Sequence, residues 1–161
     1  MIEVITNLFV GSEEDEQRAR ASQAWFVIHA CKEPYHRRAL GYTGRAAPKS
    51  HPEYLIAARP GRLILNLIDA DDVAYIPTVI VDMAIAAIHD NIRSLRVLVH
   101  CNLGLSRSPT IAFLYLAKHT DRYRGLDYAA ALALFRKSYP LYAPAPGVAE
   151  YARMNWEKYR S

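Results

Sequence analysis

The sequence predicts an α/β domain in which a central, mainly parallel sheet is flanked by helices. Three observations lead there. Short apolar runs rich in β-branched residues, at Trp25 to Ala30, Arg62 to Ile68 and Leu95 to Val99, read as strands buried on both faces. Helical patterns of spaced apolar residues separate or follow these runs. The stretch from Ile111 to Ala117 is apolar too continuously for a surface helix and reads as a buried one. At 161 residues, 52% of them hydrophobic, the chain is expected to form a single domain over 1–161 with a core of its own.

Taken in order, Ile2 to Val10 reads as two short strands broken at Asn7 and followed by Gly11. Ser12 is placed to cap a helix whose first turn, Glu13 to Glu16, sets acid at the positive end of the helix dipole. With no His or Cys beside it, this cluster is helix-start chemistry rather than a metal site. Trp25 to Ala30 is a strand that ends at Cys31, and His29 within it reads as a core or sheet-edge histidine. From Lys32 to Pro60 the pattern dissolves into a stretch with four prolines and two glycines. Its charges are Lys32, Arg37, Arg38, Arg45, Lys49 and Arg59 against Glu33 and Glu53, with a short helix expected over Pro52 to Ala58. This insertion at 32–60 is either a solvated loop or a substrate-recognition loop. Its length and its departure from the carboxyl end of a strand support the second reading.

Arg62 to Ile68 is the next strand and runs into Asp69, Asp71 and Asp72. Pro77 opens a helix with Ile80, Met83, Ala84, Ala87 and Ile88 as its core stripe. Beyond the buried helix, Gly125 breaks the chain. A helix then follows with Leu126, Ala130, Ala133 and Leu134 on its buried side, ending before Pro140. The turn YAPAPG leads to a terminal amphipathic helix from about Val148 to Tyr159, with Tyr151, Met154 and Trp156 as packing residues.

The chemistry concentrates between the Leu95 strand and the buried helix. Cys101 follows His100, Arg107 stands six positions later, Gly104 lies between them and Ser108 follows the arginine. A strand turning through a small loop into a helix leaves the backbone N–H groups of Asn102, Leu103, Gly104, Leu105 and Ser106 around one concavity at the positive end of the helix dipole. Such a concavity binds a tetrahedral oxyanion, and a thiol placed there is favoured as thiolate. Arg107 can hold two phosphate oxygens with its planar fork, more tightly as charge redistributes in the transition state. Gly104 is read as letting the loop tighten where a Cβ would crowd the anion. Ser108 can donate to the sulfur as leaving group, while His100 is read as a support for the loop backbone. Expelling an alkoxide or phenolate needs a proton donor on the far side of the phosphate, and Asp69, Asp71 and Asp72 are the candidates.

HCNLGLSRS resembles the His-Cys-five-residues-Arg-Ser/Thr loop of the dual-specificity branch of the cysteine-dependent protein tyrosine phosphatases. ITNLFVGSEEDE resembles the opening of the same family, and LNLID resembles its Ile-Pro-hydrophobic-any-Asp step. That last match falls on Asp69 and implies it as the general acid, although Asn66 replaces the family's proline. Ala145 stands where the family usually has an asparagine that braces the loops near the site. The resemblance implies a metal-independent phosphomonoesterase without cofactor, acting on phosphotyrosine and phosphoserine/threonine in proteins through a phosphocysteine. Some relatives also carry a cysteine near the position of Cys31 that pairs reversibly with the nucleophile, against the plainer reading of Cys31 as a packing residue.

The loop interior from Asn102 to Ser106 carries no Lys or Arg, which weakens the case for phosphoinositides; RNA ends and sugar phosphates are further substrate readings. A phosphate-binding module without turnover is the rival from another class, and a rhodanese-like sulfurtransferase or an arsenate reductase are rivals in chemistry. A net charge of +4 without a basic stripe or aromatic ladder gives no expectation of nucleic acid binding. No apolar run is long enough to span a membrane and the N-terminus lacks the pattern of a signal peptide. Two cysteines are too few for a disulfide scaffold, so a cytoplasmic setting is expected.

Overall fold

A computed structural model describes residues 1–22 and 24–160. β1 (Ile2–Ile5) and β2 (Leu8–Gly11) form an antiparallel pair joined at Asn7, whose φ of 67° suits an asparagine. The helix α1 (Glu13–Ala19) starts in a capping box in which Asp15 accepts from the Ser12 backbone at 3.0 Å, so the acidic cluster does serve the helix start. β3 (Trp25–His29), β4 (Ile56–Arg59), β5 (Arg62–Leu65) and β6 (Arg96–His100) complete one sheet in the order β1-β2-β6-β3-β5-β4. β2, β6, β3 and β5 run parallel, and antiparallel partners β1 and β4 close the two edges. This is the mainly parallel α/β sheet the sequence predicts.

Alternation along the strands divides the side chains between two faces. Ile28, Leu63, Leu65, Val97 and Val99 belong to the main core with α3 (Thr78–Asn91) and α4 (Arg107–His119). Every residue of α4 from Arg107 to Ala117 is buried, as its continuous apolar run requires. His29, Ile64 and His100 face the other way and are covered by α1 and by an irregular turn over Lys32–His36 that leads into α2 (Arg37–Leu40). Of the expected helix over Pro52 to Ala58 nothing forms. Ile56 to Arg59 pair with β5 instead, because the exposed edge of β5 offers a row of backbone partners that a short helix would leave unpaired.

Three helix faces also differ from expectation. On α3 the buried set is Ile80, Val81, Ala84, Ile85 and Ile88, while Met83 is exposed: Val81 turns toward Val148 and Tyr151, so the buried face is rotated to that side. On α5 (Tyr128–Ser138) Ala131 and Phe135 are buried, whereas Ala130, Ala133 and Leu134 are exposed. The Phe135 ring packs against Phe113, Tyr139 and Tyr142, and one buried aromatic outweighs several alanines in setting the rotation of a helix. The terminal helix breaks at Asn155 into α6 (Pro146–Met154) and α7 (Trp156–Tyr159). Tyr151 and Trp156 are buried and Met154 is not.

Candidate active site

β6 delivers Cys101 to the carboxyl end of the sheet, where the chain turns through residues 102–106 before α4 begins at Arg107. The Cys101 backbone N–H donates to the Gly11 carbonyl at 3.4 Å, which ties the loop to the neighbouring strand β2. Ser108 Oγ lies 3.2 Å from Cys101 Sγ, in position to donate to the sulfur, and 3.3 Å from the Gly11 carbonyl. Gly104 has φ +74°, and a Cβ there would stand 2.9 Å from the Gly11 carbonyl carbon and oxygen. The loop's left-handed turn, packed close against the end of β2, requires this glycine. The other side of the loop is held by Tyr139, whose hydroxyl donates to the Gly104 carbonyl at 2.7 Å.

Among the described residues the backbone N–H groups of 102–106 make no hydrogen bond to protein, while the loop's carbonyls are taken by Glu13 N–H at Asn102 and Ala143 N–H at Leu105. Donors left free on one side and acceptors satisfied on the other is the arrangement an oxyanion cradle needs. The Arg107 guanidinium is buried. One Nη donates to the Leu67 carbonyl at 3.1 Å and the other to Asn102 Oδ1 at 2.7 Å. Its Nε has no hydrogen-bond partner, the nearest carboxylate oxygen being Asp69 Oδ1 at 3.8 Å. Cys101, Asn102, Leu103, Leu105, Ser106, Arg107, Asp69 and Ala143 line a single cleft of about 140 Å³, with Cys101 only 2% exposed and Leu103 73% exposed at the rim.

Of the three aspartates, Asp69 alone lines this cleft. Its carboxylate accepts from Ser106 Oγ at 2.6 Å, which joins the acid-bearing segment to the loop. Asp72 instead accepts from the Ala74 backbone and caps the turn over Val73–Tyr75, the alternative role an aspartate takes ahead of a helix. The proline-rich turn braces both segments through its backbone. Ala145 N–H donates to Ser106 Oγ at 3.0 Å and Gly147 N–H to the Ala70 carbonyl at 3.0 Å. Residue 145 thus makes its contact through an atom every residue but proline possesses, so the alanine keeps this part of the brace. Asn66 donates to the Tyr54 carbonyl at 2.8 Å, tying the same strand to the 32–60 stretch.

His100 Nδ1 lies 3.3 Å from the Cys101 carbonyl and its Nε2 lies 2.7 Å from His29 Nδ1, so His100 holds loop backbone as its position suggested. Burial pushes His100 down to about 4 and His29 lower still. The His29–His100 pair has no signature in the sequence, since only the pairing of β3 with β6 makes the two neighbours. The same pairing sets Cys31 in one small buried cluster with Cys101, Tyr35, Ala57 and Ile64. Both cysteines are free thiols, and burial pushes Cys31 up to about 12. Among the described residues no three His, Cys, Asp or Glu side chains are grouped so as to hold a metal ion, and no helix is long and apolar enough to cross a membrane.

A parallel sheet whose central strand ends in a cysteine loop backed by a buried helix is the architecture of the dual-specificity phosphatases, and solved structures of that class share it with this chain. Human DUSP28 superposes with a TM-score of 0.61 at 22% identity, covering 98% of this chain and 93% of its own. The Yvh1 phosphatase domain from Chaetomium thermophilum gives 0.66 at 20% identity, covering 98% and 94%. The human tyrosine phosphatase-like serine/threonine/tyrosine-interacting protein gives 0.64 at 20% identity, covering 98% and 95%. No family model matches the chain, and no curated protein matches it in sequence. At these identities the likeness is one of fold.

Proposed function

We propose that the chain is a cysteine-dependent phosphomonoesterase of the dual-specificity type, a single catalytic domain over 1–161 acting in the cytoplasm on phosphotyrosine and phosphoserine/threonine in proteins. The observation that carries this reading is the buried Arg107 Nε, without a hydrogen-bond partner, in one cleft with Cys101, Asn102, Leu103, Leu105 and Ser106. Cys101 Sγ attacks phosphorus in line with the ester oxygen, and the developing charge is shared among Arg107 and the N–H groups of Asn102, Leu103, Gly104, Leu105 and Ser106. Asp69 gives its proton to the departing oxygen, leaving a phosphocysteine and a carboxylate. That carboxylate then takes a proton from water as the water attacks phosphorus, orthophosphate forms and the sulfur leaves as thiolate, with Ser108 Oγ donating to it. No metal or cofactor enters the scheme, and the 32–60 stretch borders the cleft through Asn102, whose side chain donates to the Glu33 carbonyl at 3.0 Å.

Turnover of a series of aryl phosphates tests it. Cys101→Ser is expected to abolish turnover while vanadate binding persists. Asp69→Asn is expected to slow esters with poor leaving groups by about a hundredfold and those with good leaving groups far less. A wild-type protein that binds vanadate but turns over no ester would establish the phosphate-binding module instead. The same leaving-group dependence in Asp71→Asn would move the acid.

A further inference from the structure

The sheet face that carries His29 holds a second concavity, apart from the catalytic cleft. Arg20 just after α1, Arg38 on α2, Arg59 on β4 and Arg62 on β5 converge on a cleft of about 280 Å³, with Tyr35 and His29 in its wall. Carboxylates hold two of the four guanidiniums: Glu16 meets Arg20 at 2.6 Å and Glu53 meets Arg59 at 2.7 Å. Among the described residues Arg38 and Arg62 have no carboxylate partner, so the wall keeps their charge uncompensated.

The floor adds a more particular demand. A carbonyl can only accept, so the contact between His100 Nδ1 and the Cys101 carbonyl places the proton on that nitrogen and leaves His100 Nε2 as acceptor. His29 Nδ1 therefore donates to His100, and His29 Nε2 is a bare lone pair. His29 is fully buried, and this nitrogen has no hydrogen-bond partner. His29 lines this cleft together with Arg62 and Ile64, which the neighbouring strand β5 brings to it. A buried acceptor left orphaned is costly and calls for a donor.

We propose that this cleft is a second, non-catalytic site for a phosphate group that keeps a proton. Its anionic oxygens pair with Arg38 and Arg62, and its P–OH donates to His29 Nε2. Orthophosphate at neutral pH and the monoanion of a phosphomonoester both have this chemistry. Sulfate, which carries no proton at neutral pH, satisfies the arginines and not the histidine. An adjoining hollow of about 540 Å³ shares Arg20 and Arg62 with the cleft and has room for the organic part of an ester. The site also gives the basic 32–60 stretch a task, since Arg38 and Arg59 come from it.

The test is a titration of the ¹⁵N-labelled wild-type protein with orthophosphate, sulfate and the non-hydrolysable phenylphosphonate, read at the His29 ring nitrogens and the Arg38 and Arg62 side chains. Orthophosphate is expected to shift His29 Nε2 saturably and to bind about tenfold more tightly than sulfate, the equivalent of one hydrogen bond. The Arg38→Ala/Arg62→Ala variant is expected to lose the response while its fold and its aryl phosphate turnover persist. Tighter binding of phenylphosphonate than of orthophosphate identifies an ester as the ligand, and the reverse identifies the free anion. Occupancy of the catalytic loop is read separately at the amides of 102–106, so failure of the phosphatase reading leaves this test intact. Three results would each overturn the proposal: a silent His29, sulfate binding as tightly as phosphate, or an unaltered response in the double variant.

Discussion

Ser106→Ala puts the coupling between the acid and the anion loop to a quantitative test. Ser106 is 4% exposed, and its hydroxyl donates to Asp69 at 2.6 Å while accepting from the Ala145 backbone at 3.0 Å. A hydrogen bond to a charged group is worth about 1.5–3 kcal/mol when buried. The Asp69 side chain is 44% exposed, so solvent screening reduces that bond to about 1 kcal/mol. Leaving the Ala145 N–H without its partner costs about another 1 kcal/mol. The total of about 2 kcal/mol corresponds to a fall in Tm of about 6 °C for a chain of this length. The kinetic effect is selective. Asp69 stays in the protein but loses its tether, so turnover of an ester with a poor leaving group falls about tenfold, while one with a good leaving group is little affected. Urea unfolding and kcat across a series of aryl phosphates measure the two effects, with Ser106→Thr as the variant that keeps the hydroxyl. Equal slowing of all esters would refute the argument, because it would mean that Ser106 acts on the nucleophile or the cradle rather than through the acid.

Two further expectations concern the buried groups behind the loop. His100 is held down to about 4, so between pH 6.5 and 4 the unfolded chain binds a proton at this position that the folded chain does not. Stability therefore rises with pH across that window and is lost as pH falls through it, by about 3 kcal/mol in total. Urea unfolding at several pH values should show this slope reduced in His100→Gln, and an unchanged slope would remove His100 as its source. Cys31 is a thiol at neutral pH and packs in one cluster with Cys101. We propose that once peroxide has converted Cys101 to its sulfenic acid, Cys31 gives up its proton and attacks that sulfur. A disulfide forms and water leaves. Dithiothreitol should then restore activity in the wild type, more completely when oxidation is run at higher pH, and not in Cys31→Ser. Equal recovery of both would leave Cys31 as packing alone.

The local part of this protein is legible in the order of its residues. Strand, loop and buried helix occupy one continuous stretch from Leu95 to Ala117, so the order of Cys101, Gly104, Arg107 and Ser108 is fixed by the chain and readable from it. The parallel sheet was legible for a similar reason, since strands buried on both faces need no polar alternation. Whatever depends on which segments meet is set by the packing of the whole chain. Gly104 is confined by Gly11, ninety-three positions earlier in the chain. Asp69 is distinguished from Asp71 and Asp72 by the bond to Ser106 and by the cleft it lines, whereas sequence spacing treats the three nearly alike. The buried faces of α3 and α5 were set by Val148, Tyr151 and the aromatic cluster around Phe113, partners that no helical period reveals. The 32–60 stretch shows the limit most plainly. Its charges are visible in the sequence, yet Arg38 and Arg59 acquire a common direction only when β4 pairs with β5 and the turn after Cys31 folds over His29. Periodicity reports how one segment divides between water and protein, and pairing between distant segments then decides which of its groups come face to face.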